Sequence, residues 1–113
     1  MNVKQVKVTE VGPRDGFQSE KTVLKTEDKV DIINHLIKAG FQRIEVSSFV
    51  SPKAIPQLAD AATILENVKR NSNATLAALV PNAKGALRAV DAKLDEIVVF
   101  LSASESHNKK NVN

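Results

Sequence analysis

The chemistry this sequence offers rests on an adjacent pair of charges and one carboxylate elsewhere in the chain. In Gly12-Pro13-Arg14-Asp15-Gly16-Phe17-Gln18, a guanidinium that stays protonated sits beside a carboxylate, in a segment stiffened by Pro13 and bent by two glycines. Asp15 offers hard oxygen ligands to a divalent cation, and Arg14 can stabilise negative charge developing on a substrate oxygen. The plain alternative is an Asp-Gly turn with a surface ion pair. Glu45 lies between Ile44 and Val46, so strand alternation can turn it toward the core side of a sheet, where a lone carboxylate is costly and calls for a partner. Arg14 is the natural candidate, and an outward carboxylate on an edge is the competing reading. His35 has no second histidine at ligand spacing and reads as a helix-surface residue. His107 and the Lys109-Lys110 pair read as solvated loop residues, with substrate contact as the alternative. The chain has no cysteine, no Gly-x-Ser-x-Gly motif and no phosphate-binding glycine loop, which removes thiol, nucleophile-elbow and P-loop chemistry.

These residues need elements to hold them. Residues 6–11 alternate and are rich in β-branched side chains until Gly12-Pro13 ends them, which predicts a first strand. Thr26 can cap a helix with Glu27 and Asp28 in its first turn and Val30, Ile33, Leu36 and Ile37 at helical spacing, closed by a left-handed cap at Gly40 before Phe41. Residues 43–49 read as a second strand. Leu58, Ala61, Ala62, Leu65 and Val68 make the stripe of a helix that opens near Pro52 and Pro56 and ends by Asn71-Ser72-Asn73. Residues 74–80 form a third strand. Asn82 then caps a helix with Ala83, Ala86, Leu87 and Val90 inward, and residues 96–101 form a fourth strand.

Strands alternating with helices build a parallel sheet, and the nearly continuous apolar runs 76–80 and 97–101 suit strands covered on both faces. The fold class is therefore α/β with four parallel strands and three helices. It is either a small open sheet or half of an eight-stranded barrel, which takes about 250 residues. In such folds ligands bind at the carboxyl ends of the strands, and that rim gathers Arg14-Asp15, Glu45 with Ser47 and Ser48, Asn82, and Ser104-Glu105.

Composition narrows the class further. With 113 residues, 42% of them hydrophobic and 26% charged, the chain makes one modest globular domain and excludes disordered, collagenous and disulfide-scaffold classes. No apolar run approaches the roughly 20 residues of a membrane-spanning helix, so no membrane partner is expected. A net charge of +3 with basic residues spread along the chain argues against nucleic acid. The alternating, charged N-terminus has no secretory signal pattern, and a cytoplasmic location is expected.

Five stretches in order resemble the 3-hydroxy-3-methylglutaryl-CoA lyase family. They are Glu10-Val11-Gly12-Pro13-Arg14-Asp15-Gly16-Phe17-Gln18-Ser19-Glu20, Ile44-Glu45-Val46-Ser47-Ser48-Phe49-Val50-Ser51-Pro52-Lys53, Pro56-Gln57-Leu58-Ala59-Asp60, Val80-Pro81-Asn82, and Ser104-Glu105-Ser106-His107-Asn108-Lys109-Lys110-Asn111. The Arg-Asp-Gly-x-Gln element alone is shared with Claisen-type enzymes such as isopropylmalate and homocitrate synthases; the later motifs narrow the resemblance to the lyase.

The resemblance implies the N-terminal half of a (β/α)8 TIM barrel, with residues 1–113 forming part of one domain, that uses Mg2+ or Mn2+ to cleave 3-hydroxy-3-methylglutaryl-CoA into acetyl-CoA and acetoacetate. It implies that Asp15 ligates the metal, that Arg14 stabilises the thioester enolate, that Glu45 positions or tunes Arg14, and that Arg14, Gln18 and Ser48 contact the acyl-CoA substrate. The family completes its metal shell with a His-x-His pair and an Asn on later strands and uses a mobile loop with a Cys, none of which this sequence contains. The 113-residue polypeptide alone is therefore expected to be inactive, because one carboxylate holds Mg2+ weakly. Unpaired strand edges near Val6 and Val98 and uncovered apolar helix faces point to a homo-oligomer. The alternatives are a non-catalytic half-barrel binding or scaffold module and a fragment of a related synthase.

Overall fold

The computed structural model describes residues 3–70 and 73–106. After a π-helical turn at Gly12–Gly16, the elements are α1 (Thr26–Lys38), β1 (Arg43–Ser48), a 3-10 turn (Pro56–Leu58), α2 (Ala61–Asn67), β2 (Thr75–Leu79), α3 (Ala83–Asp91) and β3 (Glu96–Val98). The strands form one parallel sheet in the order β1-β2-β3. Each crossover carries one helix, α2 between β1 and β2 and α3 between β2 and β3. Ile44, Val46, Leu76, Ala78 and Val80 from the sheet segment bury against Ile33 of α1, Ala61, Ile64 and Leu65 of α2 and Ala89 of α3. Full burial of each large aliphatic side chain is worth about 1.5–3 kcal/mol, so this layer is the main source of the fold's stability.

Two expected strands are shorter than their sequence patterns. Residues 3–9 form no strand, and the expected first strand survives as a single parallel bridge in which Glu10 N–H donates to Arg43 O (3.0 Å) and Glu45 N–H donates to Glu10 O (2.9 Å). Val3, Val6 and Val8 are all exposed, so pairing there would bury no apolar face. The fourth strand stops at Val98, beyond which Val99 and Leu101 are exposed. The described sheet thus has three strands rather than four.

The helix ends follow local chemistry. Gly40 adopts φ 100°, Phe41 N–H donates to Leu36 O and Gly40 N–H to Ile37 O, which is the 6→1 and 5→2 pattern of a Schellman cap. Asn82 Oδ1 accepts from Gly85 N–H at 2.8 Å and caps α3 as expected. Thr26 does not cap α1; the cap position is Lys25, and the Thr26 hydroxyl donates instead to Asp60 Oδ2 at 2.7 Å. In α3 the inward residues are Gly85 and Ala89, with Ala86 part-buried, whereas Ala83, Leu87 and Val90 are exposed. The helix packs so closely that a Cβ on Gly85 would lie 2.7 Å from Phe49 O, so the small residues face the sheet and the larger ones turn away. The helix α2 spans only Ala61–Asn67, shorter than its stripe, because Val68 is already extended. Asn71 and Ser72, expected to end it, lie outside the described residues, as do His107, Lys109 and Lys110.

Candidate active site

The segment that carries Arg14 is wound more tightly than a loop. Asp15 N–H donates to Val11 O at 2.7 Å, Phe17 N–H reaches back to Gly12 O, and Pro13 at the start of the turn needs no donor there. The segment's entrance is fixed by Glu10, which bridges to β1 through its backbone and accepts Gly12 N–H at Oε1 (2.8 Å). Pro13 is buried, and Arg14 emerges half-buried beside β1.

Glu45 on β1 is 5% exposed, and Arg14 Nε donates to its Oε1 at 2.6 Å. A carboxylate so buried would be costly alone, and the charge-assisted bond supplies the partner the sequence called for. Arg14 Nη1 also donates to Asp15 Oδ1 at 3.1 Å. One guanidinium thus sits between two carboxylates of different character: Glu45 is buried and fixed, whereas the Asp15 side chain is 65% exposed and open to ligands from solvent. Arg14 keeps further donors uncommitted to Glu45, which suits it to meet an oxygen anion while remaining held in place.

A bulge in β1 decides which serine joins this face. The β1–β2 register runs Glu45↔Ala77, then Ser47↔Ala78 and Ser48↔Leu79, with a shift between Glu45 and Ser47. Paired residues share a sheet face, so Ser48 lies on the face of Glu45, and Ser47 lies with Ile44, Leu76 and Ala78 on the helix-covered face. Without the extra residue, Ser47 would have followed Glu45. Ser47 Oγ is buried there with no hydrogen-bond partner.

Of the residues expected at the site, Arg14 is in direct contact with both Asp15 and Glu45. Ser48 is buried on the same face, and Gln18 is half-buried in the helical turn that continues the segment; neither hydrogen-bonds to the triad. Asn82 is engaged in its capping role. Among the described residues, no group of three or more His, Cys, Asp or Glu could hold a metal ion.

Sequence reasoning missed a second buried charge, Lys29, whose Nζ donates to Gln57 O at 2.6 Å and to Asp60 at 2.9 and 3.1 Å. Its position four residues before Ile33, on the inward side of α1, was the signal available. The lower end of the sheet holds another pair, Arg43 with Glu96, in which Arg43 also donates to Thr9 Oγ1. The hydrogen bond from Arg43 holds the Glu96 carboxyl below the usual carboxylate range, and the same bond raises the Arg43 guanidinium.

A family model described as HMGL-like matches residues 5–113. The chain belongs to the HMGL-like family. It is 48% identical over 110 residues to hydroxymethylglutaryl-CoA lyase of Bacillus subtilis, covering 97% of this chain and 37% of that protein. It is 43% identical over 110 residues to a 3-hydroxy-3-isohexenylglutaryl-CoA/hydroxymethylglutaryl-CoA lyase of Pseudomonas aeruginosa, with the same coverage. Among solved structures, the HMG-CoA lyase of Bacillus subtilis superposes with a TM-score of 0.92 over 98% of this chain and 37% of that one, at 48% identity. An HMG-CoA lyase of Acinetobacter baumannii in complex with coenzyme A and 3-methylmalate gives 0.91 at 46% identity, over 99% of this chain and 37% of that one. This HMGL-like chain therefore spans little more than a third of these relatives. Its three-stranded parallel α/β unit matches the N-terminal part of the lyase TIM barrel.

Proposed function

We propose that this HMGL-like chain provides the enolate-stabilising part of a carbon–carbon lyase site that cleaves 3-hydroxy-3-methylglutaryl-CoA into acetyl-CoA and acetoacetate. The observation that carries this reading is the Arg14–Glu45 bond: a guanidinium fixed by a buried carboxylate, with donors left over, at the rim where ligands of parallel α/β folds bind. In the reaction the substrate's tertiary hydroxyl loses its proton and the bond between C2 and C3 breaks. The bonding pair moves into the thioester enolate, C3 becomes the ketone of acetoacetate, and C2 takes a proton to give acetyl-CoA. Negative charge thus accumulates on the thioester oxygen. A preorganised cation there is worth most in the transition state, because it needs no reorganisation as the charge appears. Arg14 takes that role, Glu45 holds it, and Gln18 and Ser48 contact the acyl-CoA.

The same reading includes a divalent-cation requirement, Mg2+ or Mn2+, with Asp15 as one ligand. Among the described residues, no group of three or more His, Cys, Asp or Glu side chains completes a shell around the ion. The proposal includes that the 113-residue polypeptide assayed by itself shows no turnover. The exposed apolar residues of α3 and β3 support a homo-oligomer, and a cytoplasmic location accompanies the proposal. Relatives occur in both mitochondrial and cytoplasmic forms, and no helix among the described residues is long and apolar enough to cross a membrane.

The test is a chimera in which residues 5–113 replace the matching part of the Bacillus subtilis lyase, supplied with Mg2+ and 3-hydroxy-3-methylglutaryl-CoA. Formation of acetyl-CoA and acetoacetate is expected. A folded chimera that instead condenses acetyl-CoA with a 2-oxo acid, or turns over neither, overturns the assignment.

A further inference from the structure

The most deeply buried charge among the described residues lies outside the triad. Lys29 is 1% exposed, and its ammonium finds three acceptors: Gln57 O at 2.6 Å, Asp60 Oδ1 at 2.9 Å and Asp60 Oδ2 at 3.1 Å. The Thr26 hydroxyl adds a third hydrogen bond to the Asp60 carboxylate. A buried ion pair is weak evidence for stability, since apolar side chains of similar volume fill such a space at least as well; its best-attested use is to fix registry. Here it fixes residues 57–60, around the end of the 3-10 turn, against α1. Gln57, held by its own carbonyl, donates from Nε2 to Glu20 O at 3.0 Å. Glu20 closes the helical run that carries Arg14: Glu20 N–H donates to Phe17 O and Ser19 N–H to Gly16 O, both at 3.2 Å.

The Arg14 segment is therefore tied at both ends, to β1 through Glu10 at its entrance and to the Lys29–Asp60 pair through Gln57 at its exit. With only the entrance fixed, a single helical turn can tilt about that point and carry the guanidinium away from Glu45. We propose that Gln57 is a positioning residue for Arg14, acting through Glu20 and itself set in place by the buried Lys29–Asp60 pair. The catalytic consequence rests on the lyase reading, but the positioning does not.

The experiment is NMR on the isotope-labelled 113-residue chain. It follows amide exchange at Arg14, Asp15, Ser19 and Glu20 together with the Arg14 Nε–H resonance, with the β2 amides as an internal reference for global stability. Gln57→Leu removes the side-chain donor and keeps the carbonyl that Lys29 uses. Exchange at Ser19 and Glu20 is expected to rise roughly fivefold, the worth of one ordinary hydrogen bond. The Arg14 Nε–H signal should shift and broaden, while β2 exchange stays constant. Lys29→Met should give the same pattern more strongly, and where Lys29→Met fails to fold, Gln57→Leu decides alone. Unchanged exchange and an unchanged Arg14 signal in Gln57→Leu overturn the proposal, as does acceleration shared equally by β2, which marks a purely structural role. None of these readouts depends on turnover, so failure of the lyase assignment and failure of the positioning are told apart.

Discussion

The Arg14–Glu45 bond joins a side chain from a helical turn to one on the strand beside it, and its strength lies in burial of the carboxylate rather than in the guanidinium. Glu45→Ala leaves Arg14 half-buried without its main acceptor and is expected to cost about 1.5–3 kcal/mol in urea unfolding, the worth of a hydrogen bond to a charged group. Ser47 makes the opposite case. Its buried hydroxyl has no partner, so Ser47→Ala is expected to stabilise the chain by about 1 kcal/mol, seen as a rise in the urea midpoint with no change in slope. A lower midpoint would show that the hydroxyl has found a bond. The Arg43–Glu96 pair sets a pH dependence. Glu96 is held below its ordinary value of 4.5, so the pair's contribution is complete above that value and is lost as pH falls through the lower, folded one. The melting temperature should fall on acidification below about pH 4.5, and Glu96→Gln should reduce that fall; an identical acid limb in the variant would contradict the assignment.

At the level of elements, Gly85 tests whether packing or propensity governs α3. Alanine is the better helix former by up to about 1 kcal/mol. Its Cβ would meet Phe49 O at 2.7 Å, a backbone atom with little freedom to move, and overpacking of this kind costs about 1–3 kcal/mol. Gly85→Ala is therefore expected to destabilise despite its propensity, and a thermally more stable variant would show that α3 can slide. The same helix marks the limit of the sequence. Its cap at Asn82, the Gly40 stop of α1 and the strands β1 and β2 were legible, because capping chemistry and unbroken apolar runs act locally. The inward face of α3 was not, since the apolar pattern pointed to Leu87 and Val90, whereas the buried positions are Gly85, where the Phe49 backbone comes too close for a side chain, and Ala89. Strand lengths at 6–11 and 96–101 were overestimated because neither alternation nor an unbroken apolar run says whether a partner covers the face. At the site, the places at strand ends made Arg14 a candidate partner for Glu45 but left an outward edge carboxylate open, and it is the bond from Arg14 Nε to Glu45 Oε1 that decides between them. The β1 bulge that puts Ser48 rather than Ser47 beside Glu45 leaves no mark in the residue types.

As a whole molecule, the chain has one well-filled layer between the sheet and its helices and one sparsely covered flank, where Leu87, Val90, Ile97, Val99 and Leu101 are exposed. Exposed apolar surface beside a strand edge favours association. Sedimentation velocity at micromolar concentration is expected to show species heavier than the 12.2 kDa chain, and a clean monomer would contradict this. The unit also superposes, over 98% of its length, on 37% of the Bacillus subtilis HMG-CoA lyase. The most direct measurement is the steady-state kinetics of Arg14→Gln in the chimera of residues 5–113 with the remainder of the Bacillus subtilis lyase. If Arg14 stabilises the enolate, kcat falls about 10²–10³-fold with little change in KM, as when a preorganised oxyanion donor is removed. A variant that keeps its kcat, or loses only in KM, would mean that Arg14 binds the substrate without stabilising the charge that forms as the bond breaks.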